Sequence, residues 1–289
     1  MTSPTPRSDA LRPDPGAAAA AWAERVRAGR EQLDRLREAD ETSDFYGPMA
    51  RRFAQDPRRT DDPALEVLRR LAHRGETWLD IGAGGGRYAL PLALAVARVV
   101  AVEPSPSMLE VLRAGMGEHQ IGNVEIIEDT WPTDPLPRAD VALMAHVGYD
   151  IEDFAAFLDA AEQATGRCVA IMRASASERA SFRLWPEVHG ETRLAYPMLP
   201  ELLTLLVARG AVPEVTLVER GTWGFESREQ MIATTRRLLG LRAGSAKDQR
   251  LVQLVDERAT ERDGQWEVDW SSMRDGVVTW RSPHRSEPS

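Results

Sequence analysis

The chain has 289 residues, 43% apolar and 28% charged, enough for one large hydrophobic core or for a core plus a subdomain. Its 36 Lys and Arg against 45 Asp and Glu leave a net charge of −9, so a phosphate backbone meets net repulsion unless a local basic face offsets it, and nucleic acid is not an expected partner. One cysteine, Cys168, excludes a disulfide framework and a multi-cysteine metal site, and fits a reducing, cytoplasmic compartment.

Residues 1–16 are rich in Pro, Ser, Asp and Arg, lack an apolar run of signal-peptide length, and read as a disordered N-terminus. No stretch approaches a membrane span, so no membrane partner is expected. From Ala17 to Ala39, Trp22, Val26, Leu33 and Leu36 mark an apolar stripe at helical spacing. Polar and Pro-containing segments follow, so that 17–62 forms an expected N-terminal helical cap. Asp62 followed by Pro63 is a helix start that opens Ala64 to Ala72.

An apolar strand beginning at Thr77 then runs straight into Gly82-Ala83-Gly84-Gly85-Gly86-Arg87. Glycines belong where backbone turns sharply against a ligand, because a Cβ would block both positive φ and close approach. A second strand, Arg98 to Val102, ends in Glu103. In an open parallel sheet, ligands sit outside the carboxyl ends of the strands, and an acid ending the second strand can accept both hydroxyls of a ribose. A nucleoside-bearing cofactor follows. The dinucleotide fingerprint read from Gly82 needs glycine where Arg87 stands, although Gly84 to Ala89 satisfies the looser G-x-G-x-x-A form. An NAD-linked Rossmann oxidoreductase therefore stays as an alternative.

Asp80, two residues before the first glycine, completes D-x-G-x-G-x-G, and Glu103-Pro104-Ser105-Pro106-Ser107-Met108 follows the second strand. On these motifs, residues 75 to 175 resemble the class I S-adenosylmethionine (SAM) dependent methyltransferases. The resemblance implies that Gly82, Ala83, Gly84 and Gly86 pass against the methionine part of SAM, while Asp80 holds the methionyl amino group or orders the loop. It gives Glu103, with Pro104 beside it, to the ribose, and Asp129 and Thr130, followed by Trp131, to the adenine. Met108 matches the apolar residue against the adenine, though a helix methionine is equally often core.

Ser105 and Pro106 open the next helix, and strands follow at Val124 to Glu128, Ala139 to Ala145 and Cys168 to Arg173, with a helix from Ile151 to Ala164. This alternation predicts an α/β, Rossmann-like, mostly parallel seven-stranded sheet with helices on both faces. Beyond Ala174 the pattern loosens through Trp185-Pro186-Glu187-Val188-His189, then gives helix Pro200 to Ala208 and strand Glu214 to Glu219. Helical stretches Ser227 to Leu241 and Ala246 to Asp263 precede a last strand, Gly276 to Trp280. The expected SAM-binding domain is thus 63–281, with 227–263 inserted between its last two strands and 282–289 a disordered tail. The insert is expected to roof the acceptor site together with the helix around Trp22; padding of the sheet or a homodimer contact are its other roles. Trp185, Trp223, Trp266, Trp270 and Trp280 could line a pocket or fill a small core.

Ala145 and His146 end the fourth strand, where the resemblance puts the methyl group and its acceptor. His146 is a candidate base for an acceptor proton, or a hydrogen-bonded wall. A base typically adds about 10²- to 10⁴-fold, against effective molarities of about 10⁵ to 10⁸ M from alignment, so positioning is the larger effect. Tyr149, taken with His146 as a catalytic candidate, and Tyr46 could cover the cofactor or contact the acceptor. The Asn/Asp-Pro-Pro-aromatic run of amino-group methylation is absent here, and Asp150 with Asp153 matches helix capping better than a metal site, so no metal is expected. The expected reaction moves a methyl group from SAM to an O or N atom of a small molecule; a non-catalytic SAM-binding protein is the remaining alternative.

Overall fold

The computed structural model describes residues 12–40, 47–176, 180–220, 224–268 and 273–282. Most of the expected disordered N-terminus, the tail from 283, Tyr46, Trp223 and Trp270 lie outside the described residues. Helix α1 spans Pro15–Leu36, starting before Ala17 because Asp14 caps it, accepting the Ala17 N–H at 2.7 Å, with Pro15 in the first turn. A 3₁₀ turn, Gly47–Phe53, precedes α2, Pro63–Leu71, which Asp62 caps through the Leu65 N–H at 3.2 Å. Then come β1 (Thr77–Ile81), α3 (Ala89–Ala93), β2 (Arg98–Val102), α4 (Pro106–Glu118), β3 (Val124–Ile127), β4 (Val141–Ala145), α5 (Phe154–Ala164) and β5 (Arg167–Arg173). The second half holds α6 (Ala180–His189), α7 (Leu199–Ala208), β6 (Glu214–Arg220), α8 (Arg228–Leu238), α9 (Ala246–Arg258), β7 (Ala259–Arg262), β8 (Gln265–Val268) and β9 (Met273–Arg281).

Seven strands form one sheet in the order β3-β2-β1-β4-β5-β9-β6, with β1 to β5 parallel and β9 antiparallel to both β5 and β6. The order reverses at β1 and β4, which opens a crevice at their carboxyl ends. Both faces are covered, as continuous apolar strands require. On one face α1, α5 and α7 bury Val26, Leu158 and Leu202 against Leu79, Val100, Ala142 and Val278. On the other, α2, α3 and α4 bury Leu65, Leu92 and Leu109 against Trp78, Val99, Leu143 and Ile171. At about 1.5–3 kcal/mol for each large side chain fully buried, these two layers are the main source of stability.

Two expectations about the back half change. Trp22 stacks on Phe154 at 4.5 Å and donates its indole N–H to Ile151 O at 2.9 Å, so it belongs to a sheet-covering layer and not to a roof. The inserted segment also does not stand alone. With α6 and the β7–β8 hairpin it builds a third core around Trp185, Met231, Leu251, Leu254 and Val268, joined by Leu33 and Leu36 from the end of α1. Residues 259–263 are strand and turn, with Asp263 (φ 51°) and Gly264 (φ 73°) supplying the positive φ values that a tight hairpin needs. Among the described residues, no helix is long and apolar enough to cross a membrane.

Candidate functional site

The loop after β1 is held by its main chain. Gly82 and Ala83 donate their N–H groups to Val102 O at 2.8 and 3.1 Å, tying the loop to the end of β2. Gly86 sits at φ +84°, where a Cβ would lie 2.6 Å from Leu112 Cδ1 and 2.9 Å from Leu90 Cγ, so its lack of a side chain serves helix packing. Gly84, at φ +54°, is different: the nearest atom to a Cβ there is Met108 Sδ at 4.0 Å. Its positive φ disfavours a side chain, and among the described residues a Cβ there would meet only Met108 Sδ, at van der Waals distance, so the main chain can be approached closely.

Glu103, 7% exposed, faces that main chain. Its Oε2 accepts the Gly84 N–H at 2.8 Å and its Oε1 the Ser105 N–H at 2.9 Å. These two main-chain bonds fix the plane of the carboxylate at the end of β2. Asp80 lies 1% exposed in the same loop, and its Oδ1 has no hydrogen-bond partner among the described residues. Burial, and then the neighbouring Glu103 charge, push its pKa up to about 7, against the lowering effect of the Ala89 N–H. A cationic amino group beside it would supply the missing donor and relieve both effects. A main chain that can be approached closely, a buried orphan carboxylate oxygen and an acid ending β2 together fit SAM.

The remaining cofactor candidates flank this centre. Met108 is 3% exposed with its sulfur toward Gly84, and Pro104 is exposed. Asp129 and Thr130, both exposed, follow β3, which pairs with β2 and places them at the same carboxyl edge; Asp129 Oδ1 accepts the Thr130 N–H at 2.7 Å. The indole of Trp131 instead turns into the core, edge-on to Phe157 at 6.4 Å and donating to Phe157 O at 3.2 Å. Phe53, at the end of the 3₁₀ turn, packs with Val111 over Gly85. Arg52 reaches from that turn to Gly224 O at 3.1 Å and stacks on Phe225 at 4.4 Å, which joins the glycine loop to the third core.

At the end of β4, Ala145 is half-buried and His146 takes φ +59°. The His146 Nδ1 lies 3.2 Å from Tyr149 Oη, which accepts the Arg173 N–H at 2.9 Å, and Nε2 lies 3.5 Å from Asp275 Oδ2. The tautomer that satisfies both contacts has the Tyr149 hydroxyl donating to Nδ1 and the proton on Nε2 facing Asp275. The sequence reading did not single out Arg173, Arg220 or Asp275. Arg173 and Arg220 are the last residues of β5 and β6, and Asp275 pairs in register with Arg173. A basic residue closing a strand at the carboxyl edge was the available signal. Arg87 follows the glycine loop and pairs with Asp62 at 2.8 Å, as Arg59 does at 3.0 Å.

His189 and Trp185 are far from this chemistry in kind. Their rings lie 4.0 Å apart in the third core, and burial followed by Lys247 lowers the His189 pKa to about 4. No group of three or more His, Cys, Asp or Glu able to hold a metal occurs among the described residues.

The sheet order and the alternation of strands and helices define an α/β, Rossmann-like fold. Residues 79–166 match a family described as "Methyltransferase domain", and that span contains the glycine loop, Glu103, Asp129 and His146. The chain is similar to a probable ribosomal RNA small subunit methyltransferase A from Methanosphaera stadtmanae, 31% identical over 32% of this chain and 34% of the relative. It thus spans about a third of the length of that curated relative. Among solved structures, the YcgJ protein from Bacillus subtilis shares the fold at a TM-score of 0.55 and 15% identity, over 77% of this chain and 99% of the other. Magnesium protoporphyrin IX methyltransferase from Synechocystis PCC 6803, solved with bound S-adenosylhomocysteine (SAH), is similar at a TM-score of 0.50 and 12% identity, over 93% and 100% of the two chains.

Proposed function

We propose that the protein is a SAM-dependent methyltransferase that acts on an O or N atom of a small molecule. The observation that carries this reading is the Gly84–Glu103–Asp80 centre, where a glycine at positive φ without close neighbours, a buried acid ending β2 and a carboxylate oxygen lacking a donor among the described residues come together. The methyltransferase-domain match over 79–166 supports it, as does the relative that holds SAH on the same fold. When bound, SAM supplies a methyl group on a positively charged sulfur, open to attack by a lone pair on the acceptor.

The chain's own part is placement. Glu103 orients the ribose, Asp80 takes the amino end, and the main chain at Gly84 lets the methionine part lie close. His146 Nδ1 is held by the Tyr149 hydroxyl, which itself accepts the Arg173 N–H, and this favours a rigid wall over a free base. Alignment is the larger contribution to such a transfer. A small acceptor accords with the third core, which Arg52 and Phe225 tie to the glycine loop, and with the net charge of −9. The buried Cys168 accords with a cytoplasmic location.

Incubating the protein with methyl-labelled SAM and a cell extract, then separating small molecules from RNA and protein, tests the reading. Label is expected in the small-molecule fraction. Label confined to RNA would overturn the acceptor class, and a protein that binds SAM yet labels nothing would overturn the enzymatic reading.

A further inference from the structure

Four elements of the chain bring three guanidiniums and an imidazole to one buried place. Arg87 leaves the glycine loop, Arg173 ends β5 and Arg220 ends β6, while His146 reaches in from the end of β4. Arg173 is 8% and Arg220 9% exposed, and Asp275, which they surround, is 2% exposed. Asp275 Oδ2 lies 4.0 Å from Arg220 Nη1 and 3.5 Å from His146 Nε2. Arg173, Arg220 and Asp275 share the strand parity of Ile171, Val218 and Val277, so all three point to the α2–α3 face, where Arg87 and Tyr88 stand.

Guanidiniums that converge in this way from separate elements form a surface matched to a planar anion. Burial first, and then Arg173 and Arg87, lower the Arg220 pKa to about 10, so its cationic neighbours are felt despite Asp275. A second, independent feature points into the same place. Tyr88, 3% exposed under the Arg87 guanidinium at 5.1 Å, has a hydroxyl with no hydrogen-bond partner among the described residues. Burial pushes that hydroxyl's pKa up to about 12, so it stays a donor.

Resting on the methyltransferase reading above, we propose that this cluster is the acceptor-recognition site and that the methyl acceptor carries a carboxylate, held by Arg173 and Arg220 with the Tyr88 hydroxyl donating to it. The position suits the reaction, because the cluster lies at the carboxyl edge and touches the wall residue His146 that closes β4. A planar carboxylate matches the guanidinium fork. A phosphate dianion would lose more hydration than a carboxylate on entering so buried a place, because the desolvation cost rises with the square of the charge and the attraction only linearly. Arg173, Arg220 and Tyr88 then set specificity, while Asp275 keeps the arginines apart and oriented.

The test follows the melting midpoint of the SAH-saturated protein at constant ionic strength as chloride is replaced by acetate or benzoate, with phosphate and benzamide in parallel. Saturable stabilisation by the carboxylates, and none by benzamide, is expected. Arg220→Gln and the charge-retaining Arg173→Lys should each weaken the carboxylate response by about tenfold or more, the scale of one charge-assisted hydrogen bond, while SAH affinity stays within about twofold. Arg173→Lys keeps a cation in place, so it tests the fork even if a neutral substitution fails to fold. No carboxylate response, an equal response to benzamide, a tighter response to phosphate, or variants indistinguishable from the parent would each overturn the proposal. A parallel titration without SAH separates the two readings: absent SAH binding with an intact carboxylate response breaks the cofactor assignment and leaves the anion site standing.

Discussion

The two halves of the crevice are built from different bonds. Where β1, β2 and β3 end, the polar contacts run from backbone N–H groups to carboxylates: Gly84 and Ser105 to Glu103, and Ala89 to Asp80. Where β4, β5 and β6 end and β9 begins, they run mostly between side chains: Tyr149 with its near neighbour His146, and, from far apart in the chain, His146 with Asp275 and Asp275 with Arg220. Main-chain donors are fixed by loop conformation and suit an invariant ligand; side-chain charges are easily exchanged and suit one substrate among many. In the proposed reading the first half holds the cofactor and the second the acceptor.

That contrast can be broken most forcefully at the glycines. Gly86→Ala should destabilise the fold by about 2 to 4 kcal/mol, combining the penalty of positive φ with overpacking against Leu112 and Leu90. Gly84→Ala should cost only about 1 to 2 kcal/mol of stability from its φ, since its Cβ would meet only Met108 Sδ among the described residues, yet remove most SAH binding by blocking close approach to the main chain. Thermal unfolding and SAH titration of the two variants together separate packing from ligand roles; equal effects on both properties would deny the distinction.

Glu103→Ala should weaken SAH binding by about 1.5 to 3 kcal/mol, the scale of hydrogen bonds to a charged group. Asp80 gives a pH test. Its pKa in the folded protein is raised from 3.8 to about 7, so between those values the folded state holds a proton that the unfolded state has lost, and stability falls as pH rises through that window. Asp80→Asn should flatten this fall, and bound SAH, by bringing an ammonium group to the carboxylate, should flatten it as well. A ligand-free stability profile level from pH 4 to 7 would contradict the buried, unrelieved carboxylate. Smallest in effect is His146→Asn: less than about a tenfold drop in turnover, with unchanged pH limbs, marks a wall, whereas a base would cost about 10²-fold or more.

The cofactor half was legible because its information is local. Asp80, the three alternating glycines and Glu103 fall within one strand–loop–strand unit, and the predicted Arg98 to Val102 strand and the caps Asp62 and Ser105 are observed as expected. Parallel strands buried on both faces read as continuous apolar runs, which is why β1 to β5 were placed within a few residues. The acceptor half was not legible, since Arg87, Arg173, Arg220 and Asp275 are scattered along the chain and meet only through the β5–β9–β6 register. Helix α6 was missed because Pro186 sits inside it and reads as a breaker. The β7 strand was absorbed into a preceding helix because Ala259-Thr260-Glu261-Arg262 is polar and lacks alternation, although Asp263-Gly264 signalled the turn.

Parallel calorimetric titrations of the protein with SAH and with NAD test the central claim most directly. A saturable SAH isotherm, weakened at least about tenfold in Glu103→Ala, with no NAD binding, is the predicted result. Tight NAD binding with none for SAH, or SAH binding indifferent to the loss of Glu103, would contradict it.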